Sequence, residues 1–397
     1  MQKTVMVFGA GINQLTLIEA VTDLGHRSLV VDPSPNPPGK AKADIFIQIA
    51  KDDYKATQKA AIKYNVSGIV TGQMENPLKL MARLAQELGY IFHSPEVIER
   101  STNKFLMKQA FLEHGIPCAG GRLIYDAKIL SREELDGFVY PVIIKPLSAF
   151  SSRGVYKIDS YQDYLDRIEA TLSFSDDGSY LIEDFIEGPE YSVETITYQG
   201  DTTIIQYTEK IITPYPNTVE IGHIQPANLS ESQKSEISEV VIKAIKSLDI
   251  DNSAAHTELK MTSKGPVIIE IGPRLGGDFI SSYLSSASTG ISMDMAAVQI
   301  SIGNKPELEI TKHAASVIKF ICLPPGRKVT TIKPIICDNK DNILMLHIAV
   351  KAGDVIPVLA DSAQRSGWVI AQAETRKEAE AICCAALNHI KSCIILS

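Results

Sequence analysis

The sequence predicts a multidomain protein that joins a parallel α/β module to α+β modules. Three features carry that reading. Strand and helix patterns alternate through residues 1–95, as in a parallel sheet with crossover helices. From about residue 118 the strands become short and turn-separated, with one helical stretch among them. The length of 397 residues suggests about two or three domains.

Residues 4–10 are an apolar run closed by glycine, a buried first strand. Asn13 is placed to cap a helix whose inner face is Leu17, Ile18, Val21 and Leu24, with Gly25 just past its end. Ser28–Val31 is a second strand ending at Asp32, and Ile69 and Val70 belong to another. A helix carrying Met81, Leu84, Ala85 and Leu88 follows and closes at Gly89. The next helix runs from about Thr102 to His114 and is stopped by Gly115 and Pro117. Short strands are expected at Val142–Pro146, Val155–Ile158, Tyr180–Ile182 and Tyr191–Thr197, with a helix at Tyr161–Leu172. Strands continue to residue 305, with helices after Asp278 and Met293. The tail from about residue 310 has short strands and a last helix at Arg376–Lys391. The resulting division is 1–97, 98–305 with a smaller subdomain at 118–187, and 306–397.

Composition narrows the function. Lys plus Arg is 39 against 47 for Asp plus Glu, a formal charge of −8, which argues against a dedicated nucleic-acid binder. Hydrophobic residues at 45% and charged residues at 22% exclude general disorder. No apolar stretch approaches the ~18 residues of a membrane span. Lys3 precedes an apolar run too short for a secretory leader. The six cysteines form no C-x-x-C pair and have no histidines at metal spacing, as expected of reduced thiols in a cytoplasmic protein.

Gly9-Ala10-Gly11, with Asp32 downstream, invites a dinucleotide site, but Gln14 stands where the third glycine of G-x-G-x-x-G belongs. A tight turn without a dinucleotide is the other reading. Pro33, Pro35, Pro37 and Pro38 form a rigid loop at the edge where ligands of open sheets lie.

The most informative segment is His256-Thr-Glu258-Leu-Lys260, then Val267-Ile-Ile-Glu270-Ile-Gly272-Pro-Arg274-Leu-Gly276-Gly277-Asp278. A hairpin symmetric about Lys264 sets Glu258 opposite Glu270 on one face, about 5 Å apart. A hard divalent cation such as Mg²⁺ relieves their repulsion. A shared proton, an ion pair with Lys260 or a slipped register would do so too. Arg274 lies just beyond, a planar cation suited to an anionic reacting group, and Asp278 is alternatively a helix N-cap. Lys145 ends the strand Tyr140–Pro146 and points either to a solvated edge or into a cleft. Ser148–Gly154, with Ser151, Ser152, Arg153 and Gly154, is a turn able to fold over phosphates. Glu183 is placed to accept from a base amino group and Glu190 from ribose hydroxyls, although any one acid in such a stretch is commonly a solvated turn residue.

These segments, in this order, resemble the ATP-grasp superfamily across nearly the whole chain. The resemblance implies an ATP-grasp fold with a Rossmann-like N-terminal domain that normally binds no NAD. Arg365-Ser-Gly367-Trp-Val-Ile and Thr375-Arg-Lys-Glu-Ala379 are similar to the biotin-carboxylase-like C-terminal lobe. It further implies that Lys104 and Lys145 contact ATP phosphates and that Ser148–Gly154 covers them. By the same likeness Glu183, Phe185 and Ile186 meet adenine, Glu190 the ribose, and Glu258 and Glu270 magnesium, with manganese an alternative. Arg274 would steady an acyl phosphate.

His256-Thr-Glu258-Leu-Lys260, Arg274-Leu-Gly-Gly277 and Glu220-Ile-Gly-His223 most resemble bacterial L-amino acid ligases. There the acid faces a substrate amino group and the histidine lies beside the reacting centre. In an extended strand Glu220 and His223 would point to opposite faces, so sharing a site requires a turn or bulge at Ile221-Gly222. One departure is Gly272, where many ATP-grasp enzymes have an asparagine that helps hold the second metal. The implied reaction is ATP-driven amide formation between small-molecule amino acid, carboxylate and amine substrates. A homodimer is the assembly to test. A purine-pathway carboxylase or formyl transferase is the nearest rival, and a non-catalytic nucleotide-binding regulator another.

Overall fold

The computed structural model describes residues 1–147, 153–215, 218–337 and 340–397. The N-terminal sheet contains β1 (Thr4–Phe8), β2 (Arg27–Asp32), β3 (Ile45–Gln48) and β4 (Val66–Thr71), all parallel in the order β3-β2-β1-β4. Helices α1 (Leu15–Asp23), α2 (Tyr54–Lys63) and α3 (Leu78–Leu88) alternate with them. The first crossovers run one way from β1 and the last runs the other way. Loops leaving β1 and β4 therefore diverge at a switch point, where open sheets form a crevice. Asn13 and Gln73–Asn76 occupy those loops. Asn13 does not cap α1 as expected: a 3₁₀ turn, Ile12–Gln14, leads into the helix without a side-chain cap.

The helix expected over Thr102–His114 is broken at its start. Helix α4 (Pro95–Thr102) ends, and Asn103 caps α5 (Lys104–Glu113) by accepting from the Phe105 and Leu106 amides at 3.0 and 3.2 Å. This cap sets Lys104 as the first residue of its helix. A small antiparallel sheet follows, made of β5 (Gly121–Ile124), β6 (Val142–Pro146), β7 (Tyr156–Ile158) and β8 (Tyr180–Asp184) in the order β5-β8-β6-β7. Helices α6 (Arg132–Leu135) and α7 (Tyr161–Leu172) belong to it, and Val142, Ile144, Tyr164 and Tyr180 form its core.

The remaining strands are β9 (Glu190–Tyr198), β10 (Asp201–Ile212), β11 (Glu220–Gln225), β12 (Ser253–Thr262), β13 (Gly265–Gly272), β14 (Ala315–Phe320), β15 (Val329–Ile332), β16 (Ile343–Ile348), β17 (Gly367–Ala373) and β18 (Ile394–Leu396). Eight of them make one sheet, β13-β12-β9-β10-β11-β14-β17-β16. The tail strands β14, β17 and β16 thus extend the central sheet, and hydrogen bonds from β11 to β14 cross the expected boundary at 306. Helix α8 (Glu231–Ser247) packs beneath β12 and β13 through Ile237, Val241, Ala244 and Ile245. After α9 (Ser285–Thr289), helix α10 (Met293–Ser301) packs against Leu17, Ile18 and Val21, tying the central module to the N-terminal sheet. Helix α11 (Arg376–Cys393) covers β14 and β17 through Ala379, Cys383 and Ile390. All six cysteines are free thiols. Among the described residues no helix is long and apolar enough to cross a membrane.

Candidate functional site

Two adjoining cavities lie between the small sheet, the central sheet and the N-terminal crevice. The first, about 150 Å³, is lined by Lys104, Lys145, Glu183, Phe185, Ile186 and Glu190, among others. The second, about 340 Å³, is lined by residues that include Lys210, His223, His256, Arg274, Asp278 and Arg365. Glu220, Glu258 and Glu270 line both and mark the seam.

Lys145 points into the cleft. On β6, Val142 and Ile144 enter the core, so Ile143 and Lys145 take the opposite face. Ile143 pairs with Glu183 of β8, and Lys145 reaches diagonally to that carboxylate at 2.7 Å. Lys108, one turn after Lys104 on α5, is 3.2 Å from the other Glu183 oxygen and donates to the Ala119 carbonyl. Burial opposes the charge on Glu183, but the two ammoniums hold its pKa below the usual range. Burial pushes the pKa of Lys145 down. The Glu183 carboxylate, expected at adenine, thus anchors two lysines at the cavity wall. Phe185 meets Tyr215 edge-on with centroids 5.4 Å apart, and Lys260 donates to the Ile186 carbonyl at 3.2 Å. Lys260 thus turns to the Ile186 carbonyl and the Tyr215 hydroxyl, and the alternative in which it pairs with the opposed glutamates is not the one adopted. Ser151 and Ser152 lie outside the described residues. Gly154 is buried, and its carbonyl accepts from Thr171 at 2.9 Å; Arg153 is partly buried beside it.

Glu258 and Glu270 are cross-strand partners, as expected, but for a different reason. The turn is Ser263-Lys264, and Leu259 to Thr262 pair in a register that would set Ile269 opposite Glu258. A bulge at Ile269 shifts the ladder by one residue and brings Glu270 into place. Lys104 lies 3.1 Å from Glu270. Burial disfavours the charge on Lys104, but Glu270 and Glu75 outweigh it and raise its pKa. Lys210, buried in β10, lies 3.0 Å from Glu258, 2.6 Å from Glu190 and 3.5 Å from Glu220. Burial again opposes charge, yet the three carboxylates hold Lys210 well above the ordinary lysine pKa.

The irregularity anticipated at Ile221-Gly222 is present as a bulge. Register shifts between β10 and β11 at Ile221, so Glu220 and His223 both line the second cavity. Ser362 donates to Glu220 at 3.1 Å. His223 Nε2 lies 3.1 Å from Asp278, which also receives both terminal nitrogens of Arg365 at 2.6 and 2.7 Å. Asp278 is therefore an ion-pair partner and not a helix cap. Arg365 further donates to the Glu220 and Ser362 carbonyls and stacks 3.5 Å from the Phe320 ring centroid. Arg274 donates to the Leu275 carbonyl, while its Nε is buried without a hydrogen-bond partner. A Cβ at position 272 would lie 3.3 Å from the Arg274 guanidinium carbon, so Gly272 leaves the arginine room to fold back. From the N-terminal crevice comes Glu75, whose pKa is raised by burial, with Arg274 acting against the rise.

Sequence reading missed Lys108, Lys210, Glu194, Glu75 and the reach of Arg365. Lysines inside apolar strands or four residues after Lys104 were the available signal for the first two. Glu75 and Arg365 come from segments remote in sequence. At Gly9–Gly11, Asp32 accepts from the Ala10 amide at 2.8 Å and the Ser34 amide at 2.7 Å, and buried Gln14 lies against the turn. The Asp32 carboxylate thus ties the turn after β1 to the start of the proline-rich loop.

A small antiparallel sheet thus faces a larger one, with paired glutamates and lysines between them, the arrangement of an ATP-grasp fold. Residues 138–282 match the ATP-grasp domain family, and residues 336–393 match the L-amino acid ligase C-terminal domain 2. Within the ATP-grasp class the chain therefore carries the tail of the L-amino acid ligases. Human carnosine synthase 1 is 22% identical over 351 residues, 81% of this chain, and the match spans 42% of that longer protein. Dapdiamide A synthase of Enterobacter agglomerans is 25% identical over 293 residues, covering 70% of this chain and 68% of the relative. The crystal structure of an L-amino acid ligase from Bacillus licheniformis superposes with a TM-score of 0.83 at 20% identity over 98% of both chains, a likeness of fold.

Proposed function

We propose that the protein is an ATP-dependent carboxylate–amine ligase that joins amino acids or closely related acids and amines through an acyl phosphate. The observation that carries this reading is the Glu258–Glu270 pair at the seam of two cavities, with Lys104 and Lys210 against it and Arg274 beyond it. The first cavity suits a nucleotide: an apolar hinge at Phe185–Ile186, an acid at Glu190, and lysines at its inner end. The second suits a small zwitterion, with acids at Glu220 and Glu75 and the orphan Nε of Arg274.

In the proposed reaction a carboxylate oxygen attacks the γ-phosphorus of ATP, the bond to the β–γ bridging oxygen breaks, and ADP leaves. An amine, after losing a proton, attacks the acyl carbon, and the carbon–oxygen bond to phosphate breaks. Lys104 and Lys145 neutralise phosphate charge, and Arg274 offers a donor to the acyl phosphate. Glu220 receives the substrate ammonium, held by Ser362 and the Arg365 contact to its carbonyl. Glu258 and Glu270, directly opposed across the strand pair, would hold Mg²⁺, or Mn²⁺, as two hard oxygen donors in exchange for part of their lysine contacts; the metal would supply further neutralisation of the phosphates. A cytoplasmic setting agrees with the free thiols.

The test is a screen of amino acid pairs for phosphate release, with mass spectrometry of the products. Amide product formed only when both substrates and ATP are present supports the reading. Turnover only with a phosphoribosyl amine would redirect it to purine chemistry, and ATP binding without any turnover would make the protein a regulator.

A further inference from the structure

Behind Glu258 lies a buried pair that the reaction above does not use. Glu194 on β9 is fully buried and stands directly opposite His256 on β12 in the sheet register. Its Oε1 lies 2.6 Å from His256 Nδ1, and His256 Nε2 lies 3.3 Å from Glu258 Oε1. Positions 256 and 258 share a face of the strand, so the imidazole bridges the two carboxylates. Glu194 is anchored in turn by the hydroxyls of Ser192 at 3.2 Å and Ser281 at 3.1 Å. Ser281 also accepts from the Gly276 amide at 2.6 Å. A Cβ on residue 276 would fall 2.4 Å from Glu194 and 2.8 Å from His256, so the Arg274–Gly277 loop seats on this pair only because glycine is there.

We infer that Glu194 and His256 are positioning residues that orient Glu258 as a metal ligand and lock the Arg274 loop to it. The inference rests on the metal assignment of the proposed function. A histidine fixed at Nδ1 presents Nε2 in one direction only, and the Glu258 oxygen it meets is the one Lys210 also meets at 3.0 Å, so imidazole and ammonium together hold Oε1 and leave Oε2 for a metal. Partners of this kind behind a ligand typically change metal affinity by about 10- to 100-fold when removed.

The test separates the two ring nitrogens. Asn at 256 places an amide near the former Nδ1 and retains the Glu194 contact; Gln places one near Nε2 and retains the Glu258 contact. Mn²⁺ binding in the presence of ADP, read by electron paramagnetic resonance, is expected to weaken about 10- to 100-fold in His256→Asn and less in His256→Gln, with the melting temperatures of the two variants alike. Ser281→Ala, which loosens Glu194 without touching the imidazole, is expected to weaken Mn²⁺ binding to a smaller degree and keeps the test open if His256→Asn does not fold. Wild-type Mn²⁺ affinity in both His256→Asn and Ser281→Ala, alongside a loss in Glu258→Gln, overturns the positioning role alone. Wild-type affinity in Glu258→Gln as well overturns the metal assignment and the inference together.

Discussion

Removing the Arg365 side chain separates its structural work from mere packing. Arg365 makes a two-pronged pair with Asp278 at 2.6 and 2.7 Å, and its side chain is 11% exposed against 23% for Asp278. Truncating one partner of a buried pair costs about 3–5 kcal/mol because the other charge is stranded. Asp278 keeps His223 at 3.1 Å and faces a cavity, which lowers the expected loss for Arg365→Ala to roughly 2–3 kcal/mol. Urea melts at neutral pH measure it. The double variant Asp278→Asn/Arg365→Met strands no charge and should recover most of the loss. The pH dependence supplies a second check. Burial opposes ionisation of Asp278, but Arg365 and His223 outweigh it and depress its pKa. A depressed carboxyl contributes stability above its unfolded value, about 3.9, and loses it as pH falls toward the folded value. Arg365→Ala should therefore show a shallower acid limb below about pH 4. A loss within about 0.5 kcal/mol, typical of a surface change, would refute the clamp.

Further outcomes follow from the same geometry. Glu270→Gln should reduce turnover by more than ~100-fold at saturating Mg²⁺, beyond the usual cost of losing an indirect metal partner, with the fold retained and cooperative unfolding still seen in a melt; near-normal phosphate release would remove Glu270 from the metal site. Burial opposes the charge on His256, but Glu194 and Glu258 raise its pKa to about 9. That stabilisation is complete below the unfolded value near 6.5 and fades as pH rises through about 9, on the order of 2–3 kcal/mol, and His256→Asn should flatten stability over that window. Glu220 should make the enzyme prefer a free amino acid over its N-acetyl form by roughly 100-fold or more in kcat/KM, because the neutral amide forfeits the charge-assisted contact that the ammonium makes with the carboxylate; equal use of both forms by the wild type would remove the amino-group role. Titration calorimetry with NAD should give no heat at the Gly9–Gly11 turn, and micromolar affinity would show that Asp32 exchanges its loop contacts for a ribose.

Local chemistry was legible in the sequence wherever strand alternation or a turn decides direction. The opposed glutamates and the bulge between Glu220 and His223 follow from counting along strands. The Glu258–Glu270 pairing nevertheless depends on Ile269, whose extra position compensates for a shorter turn than the one centred on Lys264. Nothing nearby in sequence marks that compensation. The clamp at Asp278 was hidden because Arg365 is 87 residues away and reaches it only after the tail strands join the central sheet. Glu194 was hidden because a buried acid in an apolar strand shows its purpose only once β12 lies beside it. Asn13 was misread because a 3₁₀ turn, held against the sheet by Gln14, takes the place of a side-chain cap.

An acyl phosphate made from a substrate carboxylate moves one carboxylate oxygen to phosphate. Its most direct test uses an amino acid labelled with ¹⁸O in both carboxylate oxygens, an acceptor amine and unlabelled ATP. Each inorganic phosphate should carry one ¹⁸O from the substrate, and the amide should retain the other. Phosphate released without label, in step with amide formation, would contradict the acyl phosphate.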